Sequence, residues 1–449
     1  MLKTSLAAAL LAAGIAAAPA SVLATAPADQ AARLGKDLTP FGAEAAGNAA
    51  GTIPAWTGGI TGAPAGWTPG TPYADPFAAD APVTTITAAN ADKHADRLSP
   101  GQLAMLKAYP NWKITVYPTR RSFSAPQRVY DAAIRNAATA RLVENGNGVT
   151  GASAAPPFPI PADGREAIWN HLLRWRAPAL ERVIGQAAPT EGGDYTMVNF
   201  HDSVFVPYGM PGATPDTIGN RVIYLLQRTT APARLAGQIL LAHETLNQVA
   251  EPREVWLYNP GQRRVRRAPS TAYDNPGTAS DGMRTTDQFD IYNGAIDRYD
   301  WTLVGKKEMY IPYNNYKLAG ARDSVKPLHL NPDLLRYELH RVWVVEATLK
   351  GNAQHIYARR TFYIDEDSWQ IAVVDQYDGR GALWRVSEGY SMNHYDVPVH
   401  TYAVETHYDL QARRYLAIGA IIPNYSYRYD VTLSPNDFTP DALRREGTR

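Results

Sequence analysis

From about residue 194 onward, apolar residues of this 449-residue chain recur at every second position in short runs bounded by turn residues. That is the spacing of strands that each bury one side. Arg253-Glu254-Val255-Trp256-Leu257-Tyr258 runs into Asn259-Pro260-Gly261 and returns through Arg263 to Arg267, which predicts a hairpin. Arg341 to Leu349 sets Trp343, Val345, Ala347 and Leu349 on one face. Tyr357 to Ile364 predicts pairing with Trp369 to Val374 across the turn Asp365-Glu366-Asp367-Ser368. Trp369, Ile371 and Val373 are then expected to share a face, and the acidic turn to lie in solvent. Strands of this length must lay their apolar side on something. The expected fold is α+β: a large curved antiparallel sheet with helices lidding its concave face.

The cover is encoded upstream. Ser99-Pro100 places a capping hydroxyl before a first-turn proline and predicts a helix over about 100–108. A second helix starts at Pro126, with Val129, Ala133, Ile134, Ala137 and Leu142 on one face before Gly146. A third begins near Gly164, with Ile168, Leu172 and Trp175 spaced by four and three. Residues 27–81 are rich in Gly, Pro and Ala and read as an extended arm. Trp56 and Trp67 within it are costly to leave in water, so the arm is expected to wrap the body.

Met1-Leu2-Lys3 and the apolar stretch Leu6 to Ile15 read as a signal peptide over residues 1–24, cleaved after Ala24. The apolar run is about half of the roughly 20 residues a span needs. No later stretch without charge approaches that length, so a periplasmic product with no transmembrane segment in the mature chain is expected. Three segments follow from this reading: the signal peptide 1–24, an arm and helical region 25–190, and a sheet domain 191–449. The chain has no cysteine, so neither a disulfide nor a cysteine-linked lipid anchor is available. With 44 basic against 43 acidic residues there is no field to draw in nucleic acid.

Several segments resemble one exported proteobacterial family. They are Ala31 to Glu44 (AARLGKDLTPFGAE), Gly47-Asn48, Ile53 to Gly59 (IPAWTGG), Arg264 to Pro269, Arg298-Tyr299-Asp300-Trp301, Val304 to Asn314, and Phe362 to Trp369 (FYIDEDSW). The family is the domain of unknown function 1329, whose members are often labelled outer-membrane lipoprotein-sorting-like. The strand-rich part, about 195–425, is further similar in architecture to the periplasmic lipoprotein carrier LolA and its outer-membrane acceptor. That fold is an incomplete β-barrel with helices over an apolar cavity. The resemblance implies a carrier of a lipid or other apolar ligand, with an inner-membrane exporter and an outer-membrane protein as partners. It implies no catalytic residue and no cofactor. The first 190 residues have no counterpart in the simple carrier.

On the carrier reading, the cavity candidates are the aromatic and aliphatic residues at period two: Trp256, Tyr258, Trp301, Trp343, Val345, Tyr363, Trp369 and Ile371. Periodicity marks them as buried without saying whether the interior is filled or hollow. Arg263, Arg264, Arg266 and Arg267 crowd one strand. Arg264 and Arg266 are candidates for gripping a head-group phosphate or an acidic partner, or else mark a charged edge strand. The alternative reading is a secreted metal-dependent enzyme. His394 and Asp396 would share one strand face, as would His407 and Asp409, and a hairpin joining them would converge four ligands near His400 and Glu405. A third reading is a non-catalytic adaptor of an export complex. His201-Asp202-Ser203 is a contiguous trio, but sequence neighbours point apart in a strand and rarely make a triad. Asp365-Glu366-Asp367 falls short of the six to eight oxygens calcium prefers.

Overall fold

The structure is a computed structural model that describes residues 26–268 and 273–447. The predicted signal peptide lies outside the described residues. The chain opens with α1 (Ala28–Ala31) and the arm, then runs through β1 (Thr84–Ile86), α2 (Pro100–Ala108), β2 (Ile114–Tyr117) and α3 (Gln127–Thr139). A small hairpin, β3 (Arg141–Val143) and β4 (Gly148–Thr150), precedes α4 (Gly164–Leu172). Next come β5 (Ala179–Ala187), β6 (Val198–Phe205), α5 (Pro215–Ile218), β7 (Arg221–Ala231), β8 (Ile239–Thr245), β9 (Glu254–Asn259) and β10 (Arg264–Ala268). The last part holds β11 (Tyr299–Pro312), β12 (Tyr337–Leu349), β13 (Arg359–Asp365), β14 (Ile371–Tyr377) and β15 (Leu383–His394). It closes with β16 (Val399–Asp409), β17 (Arg414–Gly419), β18 (Ser426–Arg428) and α6 (Pro440–Gly447).

Among the described residues, sixteen strands form one large open sheet. Its main path is β11-β12-β13-β14-β15-β16-β17-β5-β6-β7-β8-β9-β10, antiparallel throughout. β2 runs parallel to the start of β12, β1 lies beyond β2, and β18 pairs with β5. The sheet therefore draws on both sides of residue 190, because β1, β2 and β5 belong to it.

Local chemistry accounts for the element boundaries. The Ser99 hydroxyl accepts from the Gln102 N–H while the Gln102 side chain accepts from the Ser99 N–H, a reciprocal cap that starts α2 at Pro100. Asp163 caps α4 by accepting from the Arg165 and Glu166 N–H groups. Helices cover both faces of the sheet. On one face α3 and α4 pack with Val345, Ala347, Phe362, Ile364 and Ile371. On the other, Met105 and Leu106 of α2 pack with Val342, Tyr363, Val373, Tyr390 and Tyr408. A third core, with Phe205, Leu226, Leu241 and Tyr258, lies beneath α6.

The arm wraps the body. Trp56 sits edge-on to Tyr130 at 6.0 Å, and Trp67 stacks on Tyr73 at 5.3 Å and meets Tyr395 edge-on at 5.1 Å. Gly59, at φ +71°, lets the arm touch main chain: a Cβ there would lie 1.8 Å from the Phe123 carbonyl oxygen.

Two expectations are corrected. Val373 does not share the Trp369 and Ile371 face. Tyr363 pairs with Val373 and Ile364 with Ile371, so Ala372 is an extra residue that reverses the alternation. The acidic turn is not in solvent: Asp365, Glu366 and Asp367 are 1%, 2% and 2% exposed, because the arm lies over them.

Candidate functional site

A cavity of about 160 Å³ lies on the inner side of β5 to β9. Its floor is aliphatic: Leu180 of β5, Val204 of β6, Ile223 and Leu225 of β7, and Leu240 and Ala242 of β8. Each strand contributes alternate residues, and the register sets Leu225 against Ala242 and Ala242 against Val255, so the floor is continuous across strands. The intervening residues Tyr224, Leu226 and Leu241 turn to the opposite core. Val399 and Glu405 of β16 also line the cavity. β16 and β9 are six inter-strand steps apart, about 29 Å on a flat sheet, so their meeting shows that the sheet curls around this space. The roof is the irregular stretch from Gly277 to Asn293.

Charged residues flank the floor. Arg176 pairs with Asp290 at 2.5 Å, Arg182 with Asp202 at 2.8 Å and Arg253 with Glu244 at 2.7 Å. Burial and then the Arg174 charge lower Arg176 to about 10. Burial, then the Asp290 charge, pushes the Glu405 carboxyl up to about 7, although the Ile291 N–H donates to it at 2.9 Å. Arg284 is lowered from its ordinary value by burial.

The eight sequence-predicted cavity residues lie elsewhere. Trp256 and Tyr258 fall on the alternate positions of β9, beneath α6; Trp256 packs edge-on to His243 at 4.8 Å, and the Tyr258 hydroxyl donates to the Gly447 carbonyl at 2.6 Å. Trp301 stacks on Phe362 at 5.6 Å in the core below α4, with Val345 and Ile371. Trp343 stacks on Trp369 at 6.0 Å, and the Trp369 indole N–H donates to the Phe41 carbonyl of the arm at 2.8 Å. Tyr363 faces the α2 side. The pattern that selected them reports coverage, and this sheet is covered on both faces. The floor strands lack the clean two-residue period that marks those eight. Their signal was a run such as Val222-Ile223-Tyr224-Leu225-Leu226, apolar at both parities, the mark of a strand buried on both sides. Arg264 and Arg266 are exposed on β10, which forms an edge of the sheet, and do not line the cavity.

The predicted metal segment does form a hairpin, but its ligands do not converge. His394 pairs with Val399, while His407 pairs with Ser387, seven residues further along β15. That is about 23 Å of strand. His394 Nδ1 pairs with the Tyr429 hydroxyl at 2.6 Å, His407 pairs with Ser387 at 2.8 Å, and Asp396 accepts from Tyr73 at 2.9 Å. In the His201-Asp202-Ser203 trio, Asp202 faces Arg182 and Gln227 while Ser203 accepts from Arg228.

A second charged centre sits under the arm. Arg121 donates to both Asp367 oxygens, at 3.0 and 2.7 Å, and to the Glu44 and Pro54 carbonyls at 2.8 and 3.2 Å. Lys306 and Arg341 hold Glu366 at 2.8 and 3.1 Å. Burial alone would lower the Arg121 pKa, and the bond to Asp367 raises it instead. His340, Asp365 and Asp367 bring possible metal-ligand atoms within 4.8 Å of one another. Arg121 already serves as the cation on Asp367, and Glu338 takes His340 Nε2 at 3.1 Å, so two of the three residues are committed to an ion-pair clamp. The arm, Lys306 of β11 and the acidic turn, three of the segments that carried the family resemblance, meet here.

The family profile described as protein of unknown function DUF1329 matches residues 85–444. The chain belongs to this family. An uncharacterized protein of Pseudomonas aeruginosa is 54% identical over 435 residues, covering 95% of both chains. Among solved structures, a domain from Vibrio parahaemolyticus named for outer membrane lipoprotein sorting is 15% identical, covering 62% of this chain and 97% of its own, with a TM-score of 0.44. A LolA superfamily protein from Nitrosomonas europaea is 11% identical, covering 63% of this chain and 100% of its own, at 0.39. No helix among the described residues is long and apolar enough to cross a membrane.

Proposed function

We propose that this protein is a non-enzymatic carrier of the bacterial envelope that shelters the apolar part of a lipid or similar ligand on the β5–β9 floor. It would pass that ligand between an inner-membrane exporter and an outer-membrane protein. The observation that carries the reading is the cavity of about 160 Å³ with six aliphatic residues in its floor. A space of about 150 Å³ lined by apolar side chains is enough to bind a benzene-sized molecule. The ligand therefore buries a short apolar segment here rather than a whole diacyl lipid. The periplasmic address rests on the N-terminal export signal read from residues 1–24. Native mass spectrometry of protein released gently from the periplasm tests the proposal. A bound lipid-like mass that organic extraction removes is expected, and a ligand-free chain that takes up no added fatty acid contradicts it.

A further inference from the structure

The cations lining the cavity differ in one respect. Arg176, Arg182 and Arg253 each have a carboxylate partner within 2.8 Å. Arg284 is 5% exposed, and among the described residues its guanidinium makes no hydrogen bond and no ion pair; Nε is fully enclosed without an acceptor. The Phe289 ring lies 5.5 Å from Cζ. Gly277 packs against it: a Cβ there would lie 3.2 Å from Cζ, Nε and Nη2, so the missing side chain leaves the guanidinium its place.

The nearby acids are engaged elsewhere. Asp287 accepts from Arg360 at 2.8 Å and pairs with His355 at 3.1 Å, and Asp290 pairs with both Arg174 and Arg176. Glu405 attracts Arg284 through space without forming an ion pair with it, and accepts from the Ile291 N–H instead. A buried charge left without a partner is costly. An anion arriving with the ligand removes that cost.

We infer that Arg284 receives the anionic head of a single-chain amphiphile whose tail lies on the aliphatic floor. This rests on the carrier reading and adds the chemistry of the head. A fatty-acid carboxylate and an alkyl phosphate present the same oxygens to a guanidinium.

The test is uptake of decanoate, decyl phosphate and decanol by the intact mature protein, followed by calorimetry at neutral pH. The two anions are expected to bind about tenfold or more tightly than decanol, the margin of one charge-assisted pair. Whichever anion binds better identifies a carboxylate or a phosphate source. Arg284→Gln is expected to erase that margin while decanol binding persists, and Arg266→Gln, on the exposed edge strand, to leave the margin whole. Decanol binding as tightly as decanoate in the wild type overturns the inference and leaves the carrier reading standing, a result that needs no folded variant. A margin that survives Arg284→Gln, or that vanishes in Arg266→Gln, also overturns it. Failure of all three probes to bind removes both readings.

Discussion

Asp375, on β14, is fully buried. Its Oδ1 accepts from the Ser99 hydroxyl at 2.9 Å and the Gly101 N–H at 3.1 Å, so it anchors the first turn of α2 to the sheet. Burial pushes its carboxyl from an ordinary 3.8 up to about 7, against those two hydrogen bonds, with the Glu388 charge adding to the rise. The folded protein thus keeps a proton that the unfolded chain has lost between pH 3.8 and 7. Stability from this group is fully present below pH 3.8 and falls as pH climbs to about 7. At about 1.4 kcal/mol per pH unit, the two units between pH 5 and 7 amount to about 3 kcal/mol. Asp375→Asn keeps an oxygen to accept from Ser99 and Gly101 and never ionises. Urea unfolding of both proteins at pH 5 and pH 8 isolates this group, because every other titration is shared. The stability of the variant relative to wild type should improve by about 3 kcal/mol from pH 5 to pH 8. A difference that does not change with pH refutes the reasoning.

Gly101→Ala places a Cβ 2.1 Å from Asp375 Oδ1 and 2.7 Å from Val386 Cγ2. It should lose about 1–3 kcal/mol in urea unfolding, whereas Gly351→Ala, which meets nothing within 4 Å, should change little. Arg121→Met strands Asp367 beside Glu366 in the buried clamp and releases three arm carbonyls. A loss of about 3–5 kcal/mol is expected, with faster amide exchange over residues 44–56; unchanged exchange there would mean that the clamp does not hold the arm.

Much of the fold was legible because it is written in short-range signals. The cap at Ser99 gave α2, Gly164 gave the start of α4, and the Asn259-Pro260-Gly261 turn gave the hairpin of β9 and β10. Trp343, Val345, Ala347 and Leu349 do share one face, since no bulge interrupts that part of β12 against β13. The acidic turn misled because its partners are remote: Arg121 lies 246 positions before Asp367, and nothing local announces it. The site was harder. Trp256 and Val255 are neighbours on β9, yet one packs under α6 and the other lines the cavity. Choosing between them requires knowing which face curls inward, a property of the whole sheet. Arg284 gave no signal either, since a lone arginine in a loop is ordinary until its surroundings show it buried without a partner.

The central claim is that the β5–β9 floor is a ligand site rather than a packing defect. Its most direct test compares uptake of a fluorescent fatty acid by wild type and Ala242→Phe, with Leu240→Gln as a second floor change and circular dichroism to show that each variant is folded. The account predicts saturable one-to-one uptake by wild type, lost in Ala242→Phe and weakened in Leu240→Gln. Equal uptake by all three folded proteins contradicts it.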